Sequence, residues 1–121
     1  TMEQRSTDGA VKLSPERFLS LMAKVKKGEC VLIDVRSHEE YLAERMEGAV
    51  NIPVDSIIGS VGGMDRGTPL LVYCRTGNRS VRAAEQLARM GFNDISVLEG
   101  GIEALKAYLG RLEGASGPPV R

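Results

Sequence analysis

The chain has 121 residues, which is enough for one domain and too few for two domains of ordinary size. Sixteen basic residues balance sixteen acidic ones, so the overall charge predicts attraction neither to nucleic acid nor to a membrane surface. No apolar run approaches the roughly 18 residues of a membrane span, and two cysteines are fewer than a small secreted domain usually carries. We expect a cytoplasmic protein with reduced thiols that acts as a monomer or weak homodimer.

The first predicted elements lie near the amino terminus. Residues 1–9 lack periodicity and are predicted to be flexible, and residues 10–13 are predicted to form a short edge strand. Ser14 followed by Pro15 is typical of a helix N-terminus, because serine caps the first turn and proline fits the first helical position. Apolar residues at helical spacing continue from there, and Gly28 is placed to end the helix.

Strands and helices then alternate. Short apolar runs are typical of strands covered on both faces, and stretches with helical periodicity separate them. In chain order these elements are a strand at 30–35, a helix at 37–45 with a capping box, a strand at 48–53, a helical turn at 54–58, strands at 70–73 and 95–98, and helices at 80–90 and 102–112. The pattern predicts an α/β fold with a parallel sheet of about five short strands and helices on both faces. This domain is predicted to span residues 10–113, followed by a mobile tail at 114–121.

A polar loop, residues 74–79, follows the predicted strand at 70–73 and reads Cys-Arg-Thr-Gly-Asn-Arg. Loops that follow parallel strands lie at the carboxyl edge of the sheet, where open α/β folds bind ligands. The unpaired N–H groups of the next helix point toward this loop, and Gly77 permits a tight turn, so the amides are predicted to surround an anion. Such amides, together with Arg75 and Arg79, favour the thiolate of Cys74, which is the nucleophilic form.

Residues 74–80 resemble the active-site loop of rhodanese-like domains. Three further parts of the chain are similar to signatures of that family and follow in the same order, namely 32–36 with 39–41, 48–53, and 98–102. The resemblance covers about residues 10–112. The chain departs from the family pattern at 44–47 and at 104–105, both outside the loop.

The resemblance implies a rhodanese fold and sulfurtransferase activity. Thiosulfate or a similar donor would charge Cys74 with a persulfide, and cyanide or a thiol acceptor such as glutathione or a thioredoxin-like protein would remove the sulfur. The substrate-binding residues implied by the loop are Arg75, Thr76, Gly77, Asn78 and Arg79. We expect no organic cofactor and no metal, since the sequence holds one histidine. Nucleic acid and membranes are not expected as partners.

Two alternatives remain open at this point. Phosphatases and arsenate reductases of the same fold have one more residue between the loop cysteine and an arginine, whereas four residues separate Cys74 from Arg79 here. Ser80 occupies the position of that arginine, and the smaller ring favours a sulfur atom over a phosphoryl group. The other alternative is a sulfur-relay or regulatory domain that a partner protein charges, which an intact Cys74 does not distinguish from a free enzyme.

Residues around the loop are predicted to support it. Asp34, near the end of a core strand, either accepts a loop N–H or an arginine or caps the following turn. Arg36 is expected to pair with a carboxylate at position 39 or 40, and Ser80 to be the N-cap of the helix after the loop. The glycines at 100 and 101 are expected to permit close backbone approach, with the following helix directed toward the site.

Overall fold

The computed structural model describes residues 4–5, 9–112 and 120. Its strands are β1 (Gln4–Arg5), β2 (Ala10–Leu13), β3 (Val31–Asp34), β4 (Val50–Asn51), β5 (Leu70–Tyr73) and β6 (Ile95–Leu98). Its helices are α1 (Pro15–Leu19), α2 (Met22–Lys26), α3 (His38–Ala43), α4 (Ile57–Ser60), α5 (Asn78–Arg89) and α6 (Gly101–Arg111), with a 3-10 turn at Val54–Ser56 before α4.

The strands form one sheet in the order β1-β2-β6-β5-β3-β4. The five strands from β2 to β4 are parallel, which confirms the predicted α/β class. The two-residue strand β1 pairs antiparallel with β2, although residues 1–9 were predicted to lack regular structure. Residues 1–3 and 6–8 lie outside the described residues, as does the predicted tail except Val120, which forms an isolated bridge with Met46. The domain boundaries 10–113 stay a prediction.

Strand β5 shows how the sheet separates two halves of the core. Leu70 and Val72 pack in a cluster with residues of α4 and α5, whereas Leu71 and Tyr73 pack in a second cluster with residues of α1 and α6. Side chains of consecutive strand residues point to opposite faces, so an uninterrupted apolar run fills both clusters. Each buried aliphatic side chain contributes about 1.5–3 kcal/mol. The predicted placement of helices on both faces is confirmed.

The ends of several elements follow the predicted signals. Both β5 and β6 have the predicted bounds, and the hydroxyl of Ser14 caps α1. The prediction of one continuous helix from Pro15 toward Gly28 is wrong, because α1 ends and α2 begins around Ser20. The Ser20 hydroxyl donates to the carbonyl of Arg17 (2.5 Å), a local bond that competes with the helical pattern.

The carboxyl ends of β3, β5 and β6 meet at one edge of the sheet, as the parallel pairing requires. The segments that leave this edge lead into α3, α5 and α6, and their amino-terminal turns therefore lie close together. Within the described part of the chain, no helix combines the length and the apolar character that crossing a bilayer needs.

Candidate active site

The thiol of Cys74 lies directly after β5, where the chain leaves the sheet. Its Sγ accepts hydrogen bonds from the main-chain N–H groups of Gly77 (3.1 Å) and Ser80 (3.3 Å). The hydroxyl oxygen of Ser80 lies 3.4 Å from the same sulfur, and Cys74 is 1% exposed. The thiol donates to this hydroxyl oxygen, whereas the two main-chain N–H groups donate to the sulfur and stabilise negative charge on it.

The left-handed backbone of Gly77 makes the turn that brings these N–H groups to the sulfur, and we call this turn of the loop the ring. The Gly77 φ of 111° is one that L side chains rarely adopt, and α5 begins at the next residue. Ser80 is therefore inside the first turn of α5, and the prediction that it is the N-cap is wrong, because Gly77 starts the helix earlier. From this buried position the Ser80 hydroxyl donates to the Gly77 carbonyl (3.1 Å) while its N–H donates to Cys74.

The amino terminus of α6 holds the loop from the other side. The N–H of Ile102 donates to the carbonyl of Cys74 (2.9 Å), and the N–H of Glu103 donates to the carbonyl of Arg75 (3.1 Å). Gly101 has a φ of 67°, and a Cβ added to it would collide with the Arg75 carbonyl. The predicted close approach at this glycine is confirmed. The first two carbonyls of the loop are therefore held by α6.

Substitution of Gly101 by alanine is expected to disrupt the loop. The left-handed backbone and the collision with Arg75 together are expected to cost about 1–3 kcal/mol of folding stability and to displace the ring around the sulfur. Chemical denaturation and the rate of Cys74 alkylation measure the two effects. Gly110→Ala, in the same helix with open space around the added methyl group, is the matched control and should be neutral or slightly stabilising. Equal behaviour of the two variants would contradict this account of the loop.

A buried polar network lies at the ends of β3 and β5. The carboxylate of Asp34 accepts from the guanidinium of Arg36 (Nη2 at 2.7 Å, Nε at 3.0 Å) and from the hydroxyl of Tyr73 (2.8 Å). Arg36 also donates to the carbonyl of Glu44 (2.6 Å), and Tyr73 accepts from the N–H of Met46 (3.0 Å). The network therefore ties the segment after α3 to the end of β5, the strand that leads into Cys74.

The partner of Arg36 differs from the prediction. Arg36 forms its ion pair with Asp34 and not with a carboxylate at 39 or 40. Both Arg36 and Asp34 are buried, and a buried guanidinium needs a buried counter-charge. Burial opposes the charge on Arg36, but the hydrogen bonds and the charge of Asp34 outweigh this and raise its pKa. Asp34 also accepts the main-chain N–H of Arg36 (2.9 Å), so it binds an arginine and caps the turn at once. Burial likewise raises the pKa of Tyr73.

Glu40 holds the last arginine of the loop, a contact that the sequence analysis did not find. Its two carboxylate oxygens accept from Nη1 (2.6 Å) and Nη2 (3.0 Å) of Arg79. The same carboxylate accepts the N–H of Ser37 (3.0 Å), which completes the predicted capping box of α3. The Arg79 hydrogen bonds lower the pKa of Glu40 to about 2. Because the two residues are 39 positions apart, only the fold brings them together.

The Glu40–Arg79 pair is expected to make the free energy of unfolding depend on pH in the acid range. The lowered pKa of Glu40 means that the pair stabilises the fold above about pH 4.5, and that this contribution is lost as the pH falls toward about 2. Glu40→Gln should therefore cost about 1 kcal/mol at neutral pH, a value reduced by the partial exposure of both side chains. Urea unfolding of the wild-type and Glu40→Gln proteins from neutral pH to about pH 2 should show that the difference between their free energies of unfolding becomes smaller in acid. A difference that stays constant would contradict the pairing.

The other predicted loop residues face outward. Arg75, Thr76 and Asn78 are exposed, and their roles in substrate binding stay predictions. Cys30, by contrast, is buried at the amino end of β3, the edge of the sheet opposite Cys74, and burial raises its pKa. In the portion of the chain that the structure covers, no group of three or more His, Cys, Asp or Glu side chains is placed to hold a metal ion.

A cysteine whose sulfur is bound by main-chain amides, at the carboxyl edge of a parallel α/β sheet, defines a class of sites built for a nucleophilic thiol. The family profile named rhodanese-like domain matches residues 15–108, which is most of the chain. The chain belongs to the rhodanese-like domain family.

Individual relatives agree with this assignment. The chain is 33% identical over 92 residues to thiosulfate sulfurtransferase GlpE of Pseudomonas entomophila, covering 76% of this chain and 81% of that protein. It is 35% identical over 86 residues to adenylyltransferase and sulfurtransferase UBA4 of Meyerozyma guilliermondii, covering 64% of this chain but only 20% of that protein. A rhodanese-like domain from Anabaena has the same fold, with a TM-score of 0.70 at 21% identity over 91% of this chain and 77% of that one.

Proposed function

We propose that this chain is a sulfurtransferase that carries a sulfane sulfur as a persulfide on Cys74. The observation that supports this most directly is the pair of hydrogen bonds from Gly77 and Ser80 to Sγ, because such donors stabilise a sulfur anion. The likeness to thiosulfate sulfurtransferases, which extends over most of the chain, supports the same reaction class. Both described cysteines are free thiols, in keeping with action in a reducing compartment such as the cytoplasm.

In the first half-reaction the Cys74 thiolate attacks the outer sulfur of thiosulfate. A sulfur–sulfur bond forms to Cys74, the sulfur–sulfur bond of thiosulfate breaks, and sulfite leaves with the electron pair. The three negative charges present before the step are carried afterwards by the persulfide anion and by sulfite. The amides that bound the thiolate remain placed to stabilise the persulfide, and they need no reorganisation during the step.

In the second half-reaction an acceptor removes the outer sulfur. Cyanide, or the thiolate of a small thiol or of a thioredoxin-like protein, attacks that sulfur and the Cys74 thiolate leaves. The product is thiocyanate or a new persulfide, and the enzyme returns to its starting form. Because donor and acceptor react in turn with one sulfur atom, the kinetics should be ping-pong. None of these steps calls for a cofactor.

The geometry of the loop favours sulfur over phosphate as the transferred group. In the longer loop of phosphatases the residue at the position of Ser80 is an arginine that clamps the phosphoryl oxygens. Here Ser80 is buried with its N–H on Sγ, and the Arg79 side chain extends to Glu40. The loop amides of Gly77 and Ser80 bind one sulfur atom. The guanidinium of Arg79 is held by Glu40 and is not placed to bind a phosphoryl group there.

Steady-state kinetics with alternative substrates tests the proposal. The protein should form thiocyanate and sulfite from thiosulfate and cyanide, with parallel lines when reciprocal rate is plotted against reciprocal donor concentration at several cyanide concentrations. It should not hydrolyse an aryl phosphate. Aryl phosphate turnover without sulfur transfer would overturn the proposal in favour of a phosphatase. Charging by a persulfurated partner protein, together with no reaction with thiosulfate, would replace the free enzyme with a sulfur relay.

A further inference from the structure

Two adjoining cavities lie at the amino ends of the strands, at the edge of the sheet opposite Cys74. Their volumes are about 300 and 280 Å³, and they share three lining residues, namely Leu21, Asp94 and Ser96. Asp94 directly precedes β6, and Pro69, which lines one of the cavities, directly precedes β5. Together the cavities have the size of a small-molecule site, for which about 300–1,000 Å³ is typical. We call them the amino-edge cleft.

A serine interrupts the apolar floor of the amino-edge cleft. Ser96 is paired in register with Val11 of β2 and Leu71 of β5, so the three side chains point to the same face of the sheet. Val11 and Leu71 pack in the core cluster on that face, whereas Ser96 is smaller and only partly buried. Its hydroxyl forms no hydrogen bond within the described part of the chain. The floor therefore offers one unpaired hydroxyl between two apolar side chains.

The junction between α1 and α2 covers this floor. Helix α1 ends at Leu19 and α2 begins at Met22, and Leu21 lies between them. Leu21 lines both cavities and packs against the same core cluster as the apolar residues of the floor. The amino-edge cleft is thus a slot between a sheet face and a helix junction. Such a slot fits a thin apolar body that can form one hydrogen bond to Ser96.

Asp94 determines which charge the ligand carries. Arg17 lines one cavity only, and Lys24 and Glu29 line the other cavity only. Asp94 lines both, is exposed, and forms neither a hydrogen bond nor an ion pair through its side chain with the described residues. A ligand that lies across Ser96 therefore meets this carboxylate from either cavity, and the carboxylate attracts a cation.

We propose that the amino-edge cleft binds a small organic cation with a thin apolar body. The ammonium group of the ligand pairs with Asp94, and its body lies on the floor of the cleft and donates a hydrogen bond to the Ser96 hydroxyl. This site does not rest on the proposed sulfur transfer, because Cys74 lies at the opposite edge of the sheet.

Titration of the wild-type protein with tryptamine, followed by the amide chemical shifts in NMR spectra, tests the proposal. Tryptamine carries an ammonium group on a flat indole, and tryptophol is the matching compound with an uncharged hydroxyl. We expect saturable shifts at the amides of Val11, Leu71 and Ser96, and binding of tryptophol that is about fivefold weaker. Indole-3-acetate, which carries the opposite charge, should bind more weakly than tryptophol.

Ser96→Val separates a ligand site from a position that serves packing alone. The valine side chain removes the hydroxyl and fills part of the cleft with apolar atoms. We therefore expect tryptamine binding to weaken about tenfold or more, while the urea midpoint of unfolding rises. Ser96→Ala, which removes the hydroxyl and leaves the space, should weaken binding about threefold. A serine needed only for the fold would give the reverse, a lower midpoint with unchanged binding.

Asp94→Asn tests the charge preference, and Asp55→Asn is the matched control. Asp55 is 90% exposed, and its substitution changes the net charge equally. Asp94→Asn should remove the preference for tryptamine over tryptophol, and Asp55→Asn should keep it. The proposal is overturned if the shifts do not saturate or lie outside the cleft, if Ser96→Val binds tryptamine as the wild-type protein does, or if indole-3-acetate binds more tightly than tryptamine. None of these results depends on sulfur transfer.

Discussion

Cys74→Ser is expected to abolish sulfur transfer. A serine hydroxyl in the same position cannot form a persulfide, and at neutral pH it is far less ionised than a thiol, so turnover with thiosulfate and cyanide should fall about a thousandfold or more. The amides of Gly77 and Ser80 can still donate to the hydroxyl oxygen, so the fold should be retained. Steady-state rates and the thermal unfolding midpoint, measured on the same preparation, separate lost chemistry from lost structure.

The second cysteine provides the control for this experiment. Cys30 is buried at the opposite edge of the sheet, where burial raises its pKa and disfavours the thiolate. Cys30→Ala should therefore keep most of the turnover of the wild-type protein. Retained turnover in Cys74→Ser, or its loss only in Cys30→Ala, would show that the reacting sulfur lies elsewhere.

Asp34→Ala is expected to cause the largest loss of stability. Removal of this carboxylate leaves the guanidinium of Arg36, which is 3% exposed, as a buried charge without its ion-pair partner. It also removes the acceptor of the Tyr73 hydroxyl. Breaking a buried ion pair from one side typically costs about 3–5 kcal/mol, a large fraction of the stability of a small domain. Equilibrium unfolding in urea measures the change.

Asp55→Ala is the matched control for Asp34→Ala. Asp55 forms its ion pair with Arg82 at 3.6 Å on the surface, where the Asp55 side chain is 90% exposed. Its removal should change the free energy of unfolding by less than about 0.5 kcal/mol. A loss for Asp34→Ala no larger than for this control would mean that the buried network does not contribute to stability.

The sequence was most informative where a local pattern determines the structure. The uninterrupted apolar run of β5 gave its observed bounds, because a strand buried on both faces needs no polar positions. The bounds of β6 were also predicted, although Ser96 interrupts its apolar run. The helix starts at Ser14 and Ser37 were predicted from capping, which depends on a few adjacent residues. The position of Cys74 at the carboxyl edge followed from the parallel topology alone.

Contacts between residues far apart in the chain could not be predicted from the sequence. Nothing local distinguishes Glu40 as the partner of Arg79, since the choice depends on how α3 and α5 meet at the sheet edge. The partner of Arg36 was missed because burial selects among several nearby carboxylates, and burial is a property of the fold. The role of Ser80 was misassigned because serine is a good N-cap, whereas the φ of 111° at Gly77 starts the helix before it.

The central claim is that Cys74 carries a sulfur atom beside the main-chain N–H groups of Gly77 and Ser80. Intact-protein mass spectrometry after incubation with thiosulfate tests this claim most directly. We predict that the protein gains the mass of one sulfur atom, that peptide mapping locates it on Cys74, and that cyanide removes it. Sulfur found on Cys30, or an added mass that cyanide does not remove, would contradict the account.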